Sequence, residues 1–174
     1  AGNYHTGTLI TGPQIAGNGL DFTPTNNYSL KKYDGVNFVS VDNTNVTLSP
    51  AIGTGYLLFV RGDRNPILTN IANNDFTTLS SRGKLQTGQV YIDASNNYSL
   101  VGNPYPSPVD FNLIDKSNNI NPHRFYVFDP NINQVGAYVT MEDYATPGTF
   151  IPTSPYLFSS QNNFIQSNQA FFVE

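Results

Sequence analysis

Four short blocks of this chain recur, in the same order, further along it. Leu9-Ile10-Thr11-Gly12-Pro13 is answered by Leu100-Val101-Gly102-Asn103-Pro104, and Leu20-Asp21-Phe22 by Val109-Asp110-Phe111. Tyr33-Asp34-Gly35 is answered by Phe128-Asp129-Pro130, and the run from Ile52 to Val60 by that from Ile165 to Val173. The separations are 91, 89, 95 and 113 positions, so the order holds while a later loop has grown. Ordered self-similarity of this kind predicts two pseudo-equivalent halves, approximately 1–68 and 84–174, within one domain spanning 1–174. Gly55 and Asn168 match, each three residues after an isoleucine and just before an aromatic-rich strand. Gly and Asn tolerate positive φ, which predicts the same left-handed turn in both halves.

The fold class follows from what fills the blocks. Charged residues make up only 11% of the 174, far below the usual share of about 25%. Polarity comes instead from Asn, Thr, Ser and Gln, and aromatics reach 13% with no Trp. Thr, Tyr, Phe, Val and Ile suit a pleated surface, while Asn, Gly and Pro punctuate it. The pattern predicts an all-β chain, a two-sheet β-sandwich of jelly-roll type built from duplicated halves. Strands are expected at 55–61, 89–92, 98–101, 124–128, 137–141 and 169–173, with weaker candidates at 6–11, 37–41 and 46–48. Asp42 to Asn45 and Thr87-Gly88 read as hairpin turns, Phe111 to Lys116 as one helical turn, and Thr69 to Ser81 as the junction between halves.

Composition excludes several function classes. The net charge is −4 and the eight basic residues are scattered, which argues against nucleic acid and anionic membrane surfaces. No run is apolar enough to insert in a membrane. Without Cys there is no disulfide framework and no thiolate metal site. No signal peptide is visible and the chain stops directly after a strand, so it reads as a mature module cut from something longer.

Asn97-Tyr98-Ser99-Leu100-Val101-Gly102-Asn103-Pro104-Tyr105-Pro106-Ser107-Pro108-Val109-Asp110-Phe111 is the most distinctive run. It resembles the "LVGNPYPS" signature of large secreted surface proteins of Bacteroidota, which usually carry a type IX secretion sorting domain after this region. Ile52 to Arg64, Phe125 to Pro130 and Ile165 to Val173 are similar to that family's other conserved segments. Phe111 and Phe128 stand where Trp is common, and Asn168 where Gly is usual. The resemblance implies an extracellular, mainly β module at the cell surface, with no established catalytic activity and no assigned binding residues.

Physically, three prolines in five positions stiffen residues 104–108, which read as a structural corner or a presented loop. Tyr105-Pro106 is a candidate cis bond. Asp110, like its twin Asp21, is expected to bond nearby backbone N–H groups.

The remaining constellations are sparse. Arg61-Gly62-Asp63 spells a tripeptide read by integrins, but it directly follows an apolar strand and reads first as a strand-end turn. Asp129, Asn131 and Asn133 offer oxygens on one turn for a calcium ion, as do Asp63 and Asn65, without EF-hand spacing. His5 and His123 are distant in sequence and lack a nucleophile elbow, so a triad or zinc site is not expected. Glu occurs only as Glu142 and Glu174, which leaves glycosidase chemistry to aspartates in turn positions. Tyr105, Tyr138, Tyr144 and Tyr156 lie in or near loops and are candidate sugar-stacking residues. Three glycosylation-type sequons, at Asn27, Asn45 and Asn97, are what an Asn-rich chain produces by chance.

The sequence therefore predicts no enzyme. It predicts a structural or adhesive module whose partners are neighbouring domains of the same protein or an extracellular polysaccharide. The alternative is a carbohydrate-binding module, with or without calcium.

Overall fold

In the computed structural model the described residues are 8–13, 15–46, 52–62, 79, 84–94 and 97–174. Their regular structure is all-β and of sandwich type, with a single 3₁₀ turn as the only helical element. Contacts divide the chain into two compact units, Ala1–Pro50 with Tyr56–Lys84 and Ala51–Gly55 with Leu85–Glu174.

The first unit carries strands β1 (Leu30–Tyr33), β2 (Phe38–Ser40) and β3 (Tyr56–Leu58), antiparallel in the order β2-β1-β3. Period-two alternation sends Leu30 and Leu58 to one face, where Ile10, Leu20 and Val41 complete a small core. Asp21 anchors the entering chain, its carboxylate accepting from Ile10 N at 3.0 Å.

The second unit carries β4 (Ser99–Gly102), β5 (Val109–Asp110), the 3₁₀ turn Phe111–Leu113, β6 (Arg124–Asp129), β7 (Ala137–Glu142), β8 (Ile151–Pro152), β9 (Phe164–Ile165) and β10 (Ala170–Val173). Its five-stranded sheet runs β4-β10-β6-β7-β8, and β5 pairs with β9 in a separate ribbon. Phe125, Val127, Val139, Met141, Phe171 and Val173 alternate inward from the sheet and share one core with Phe111 and Ile165 from the ribbon side. Phe111 is its centre, with ring centroids 4.4 Å from Phe125, 5.2 Å from Phe150 and 5.9 Å from Phe171. Burying so many rings on one side of a sheet is the main stabilisation of this unit.

The three central strands are arranged alike in the two units. In each, a hairpin with an aspartate at its turn receives the last strand among the described residues on the edge of its first strand: β1–β2 with β3, and β6–β7 with β10. A T-shaped aromatic pair closes each hairpin, Tyr33–Phe38 at 5.5 Å and Phe128–Tyr138 at 5.4 Å. Placing Asp34 on Asp129 carries the cross-strand pair Lys31–Leu57 onto Tyr126–Phe172. In that register Asn168 corresponds to Gly53, not Gly55. The backbone agrees: φ is 62° at Asn168 and 82° at Gly53, while Gly55 is not left-handed. Gly55 is small for another reason, since a Cβ there would come within 2.5 Å of the Leu100 side chain.

Other expectations are corrected. Residues 89–92 form no strand, and 84–91 form no hairpin ladder. Of the hairpin expected around Asp42 to Asn45, residues 47 and 48 of the return strand lie outside the described residues; Thr44 N donates to Asn18 O at 2.8 Å. The cis bond is Ser154–Pro155, not Tyr105–Pro106. The junction expected at Thr69 to Ser81 lies outside the described residues except for Leu79. β1 was not foreseen, because Lys31-Lys32 at its centre hides the alternation, and β5, β8 and β9 are too short to carry one.

Candidate functional site

The signature run forms a fastened corner. Asn103 is buried, and its amide nitrogen donates to the carbonyls of Ser107 at 2.9 Å, Ile165 at 3.0 Å and Gln166 at 3.1 Å. Its side-chain oxygen accepts from Tyr105 N at 2.9 Å, an Asx turn that turns the chain into the proline segment. Ser167 Oγ donates to Tyr105 O at 3.1 Å, and the Tyr105 hydroxyl to Gly88 O at 2.8 Å. The prolines remove donors that have no partner to find in such a loop, and one buried amide supplies the bonds that close it.

The aspartates do similar work. Asp34 Oδ1 accepts from Val36 N and Asn37 N, which together hold its carboxyl below the ordinary value. Asp110 accepts from Asn112 N at the head of the 3₁₀ turn and from Asn163 Nδ2, both at distances under 3 Å. Burial works to raise its pKa, but these bonds outweigh it and the net shift is downward. Lys116 closes the other end of this turn, donating to Phe111 O at 2.6 Å and Ile114 O at 2.9 Å with its ammonium 4.2 Å over the Phe111 ring. Asp143 is buried and accepts from Gly148 N at 2.7 Å, while its other oxygen meets His123 Nδ1 at 2.8 Å.

Asp129, first of the three calcium candidates, is 2% exposed. Oδ1 accepts from Asn131 N at 3.0 Å and Oδ2 from Ser159 Oγ at 2.6 Å, and the Ser159 bond leads in depressing its pKa. Asn133 adopts φ 57° to complete the turn, and both asparagines are exposed. The carboxylate is thus spent on internal donors. Among the described residues no three His, Cys, Asp or Glu side chains gather as a metal-holding group.

The four candidate sugar-stacking tyrosines fall in four different settings. Tyr105 is tied down as described. Tyr138 lies on the outer face of the five-stranded sheet, 5.1 Å from the Phe172 ring and 5.4 Å from Phe128, and burial pushes its hydroxyl up to about 12. Tyr144 is exposed, with its ring 5.4 Å from His123 and 5.7 Å from the Arg124 guanidinium. Tyr156 is half-buried against the core and 6.2 Å from Phe158.

Sequence reasoning missed the feature that organises the outer face of this sheet. Tyr98, Phe172 and Tyr126 meet edge to face, with Tyr98 5.4 Å from Tyr126 and 6.4 Å from Phe172. Beside them Arg124 pairs with Glu142 at 2.5 Å and with Glu174 at 3.0 Å, and Tyr126 donates to Glu174 at 2.7 Å. Burial opposes ionisation of Glu174, yet the bonds from Tyr126 and Arg124 win and lower its pKa. The alternation Arg124, Tyr126, Phe128 was the available signal, since it places all three on one face.

Arg61 of the Arg-Gly-Asp tripeptide lies against Phe59, its guanidinium carbon 5.1 Å from the ring centre; Asp63, Asn65 and His5 lie outside the described residues. No helix among the described residues is long and apolar enough to cross a membrane. No family model, curated protein or solved structure matches the chain.

Proposed function

We propose that this chain is a non-catalytic structural and adhesive module of a secreted cell-surface protein, built from two copies of one β half. The observation that carries the reading is the use of its carboxylates. Asp21, Asp34, Asp110, Asp129 and Asp143 each accept a backbone N–H, four of them within their own turn. General acid–base work needs a carboxyl with a proton to exchange at a reacting atom. Asp34, Asp110 and Asp129 are instead held ionised by fixed internal donors, the pattern of a scaffold. The resemblance of the Asn103 corner to the surface-protein signature supports the location in this reading.

Intact cells of the source organism, labelled with antibody against this chain, test the location. Surface signal without permeabilisation is expected; signal only after permeabilisation overturns it. Incubation of the purified chain with a polysaccharide panel tests the non-catalytic reading. Unchanged chain lengths are expected, and any released oligosaccharide overturns it.

A further inference from the structure

The first unit bears a cleft on the sheet face opposite its core. It measures about 440 Å³ and lies wholly within that unit. Two rows of side chains make its floor. Lys31 stands opposite Leu57 in the β1–β3 ladder, and Ser29 opposite Phe59, with Phe59 N donating to Ser29 O at 2.8 Å. Asn27 and Arg61 lie at the far end. Ser40, across β2 from Lys31, extends the polar side.

Three properties of this cleft favour an anion. Among the described residues its lining holds two cations and no carboxylate, in a chain whose net charge is −4. Second, Arg61 Nε is buried with no hydrogen-bond acceptor. A donor so placed is spent on no internal acceptor, which leaves the guanidinium uncommitted to the protein itself. Third, Arg61 is pre-oriented by Phe59, and Ser29 is 2% exposed and locked by accepting from Thr11 N at 2.8 Å. A guanidinium fork fixed in this way suits a planar or tetrahedral oxyanion.

The equivalent face of the second unit is filled by its own side chains. The Tyr126–Phe172 pair that corresponds to Lys31–Leu57 is covered by Tyr98, and the nearest cation, Arg124, is neutralised by Glu142 and Glu174. Among the described residues of the first unit neither filling is present: Lys31 and Arg61 line the cleft, and Phe59 remains 61% exposed.

We propose that this cleft binds an acidic saccharide. Acid groups of successive residues, carboxylate or sulfate, meet Arg61 at one end and Lys31 at the other; the apolar face of the sugar lies on Phe59 and Leu57; and ring hydroxyls bond Asn27 and Ser40. Hydroxyl and amide groups beside an exposed ring and a cationic anchor suit a polyhydroxylated acid better than an acidic peptide. This goes beyond the scaffold reading and does not depend on it.

Calorimetric titration of the whole chain tests the assignment with four probes: tetragalacturonate, a sulfated galactan tetrasaccharide, neutral galactotetraose and a tetraglutamate peptide. Binding of at least one acidic saccharide is expected, weakening steeply with salt, and no binding of the neutral sugar. Lys31→Gln and Arg61→Gln should each weaken it about tenfold or more, with Arg61→Lys intermediate. Lys31 is a strand-surface position, so its variant should fold; melting curves check both. Absence of binding, equal binding of galactotetraose, preference for tetraglutamate, or folded variants of unchanged affinity would each overturn it. Shortening of a bound oligosaccharide would sink the non-catalytic reading while leaving the site in place.

Discussion

Asn103 donates its side-chain amide to the backbone carbonyl of Ile165, 3.0 Å away across 62 positions of sequence. That bond fastens the proline corner to the chain entering β10, so one small polar side chain replaces the donors that three prolines removed. Asn103→Ala leaves the carbonyls of Ser107, Ile165 and Gln166, that of Ile165 in a buried bond, without this donor. Urea unfolding should show a loss of about 1–3 kcal/mol. Asn103→Asp should be at least as damaging, because it sets a carboxylate against three carbonyl oxygens.

Asp129 should make stability depend on acid. Its folded pKa lies below the ordinary value of 3.8, chiefly through the Ser159 bond, so the unfolded chain takes up its proton first. The resulting stabilisation is fully present above that ordinary value and is lost as pH falls through the folded one. Asp129→Asn cannot titrate. Its deficit against the native chain in urea unfolding should be about 1–3 kcal/mol at pH 7 and should shrink at pH 2.5. An undiminished gap in acid would contradict the assignment.

Chelation should leave the melting temperature unchanged, because both Asp129 oxygens already accept from Asn131 and Ser159. A cation bound only to the folded chain would raise that temperature, and EDTA would then lower it. Scanning calorimetry with and without calcium reads the difference.

Two glycines of the second unit separate backbone strain from space. Gly136 and Gly148 have φ of 80° and 83°. A Cβ on Gly148 meets only Asn112 at 4.0 Å, whereas one on Gly136 falls 2.3 Å from the Phe128 ring. Gly148→Ala should cost about 1–2 kcal/mol from the left-handed backbone alone. Gly136→Ala should cost about 1–3 kcal/mol more, because the ring that pairs with Tyr138 must move.

The corresponding turns before β3 and β10 should tolerate exchange in one direction only. Asn168→Gly keeps the left-handed backbone and should change stability by only a few tenths of a kcal/mol. Gly53→Asn can adopt the same φ, but its Cβ comes within 2.2 Å of Ile92. Thermal melts should show a loss of about 1–3 kcal/mol there.

The strands legible in advance were those whose neighbours in sequence carry the signal. In β6 and β7 alternation is strong, with Phe125, Val127, Val139 and Met141 all inward. The turn aspartates were legible for the same reason, since Asp34 and Asp129 bond backbone groups two or three residues on. The sugar-stacking tyrosines were chosen by loop position, which says nothing about which rings meet. Of the four, only Tyr138 belongs to the aromatic face of the five-stranded sheet, alongside Tyr98 and Tyr126, which were not chosen. The cleft was invisible because Lys31 and Arg61 come to line one cleft only through the β1–β3 register.

The sequence by itself determined the class of this protein and its local geometry: short strands, turns closed by aspartate, a left-handed residue before β10 and a stiff proline corner. Those follow from steric and hydrogen-bonding preferences that act over two to four residues. Only the tertiary structure decided that Gly53, two positions from the expected match, corresponds to Asn168. It also decided that one sheet face is filled by tyrosines and an ion-pair network while, among the described residues, its counterpart lines a cleft with two cations. Such choices depend on which strands lie side by side and in what register, and a shift of two residues preserves every facing while changing every partner.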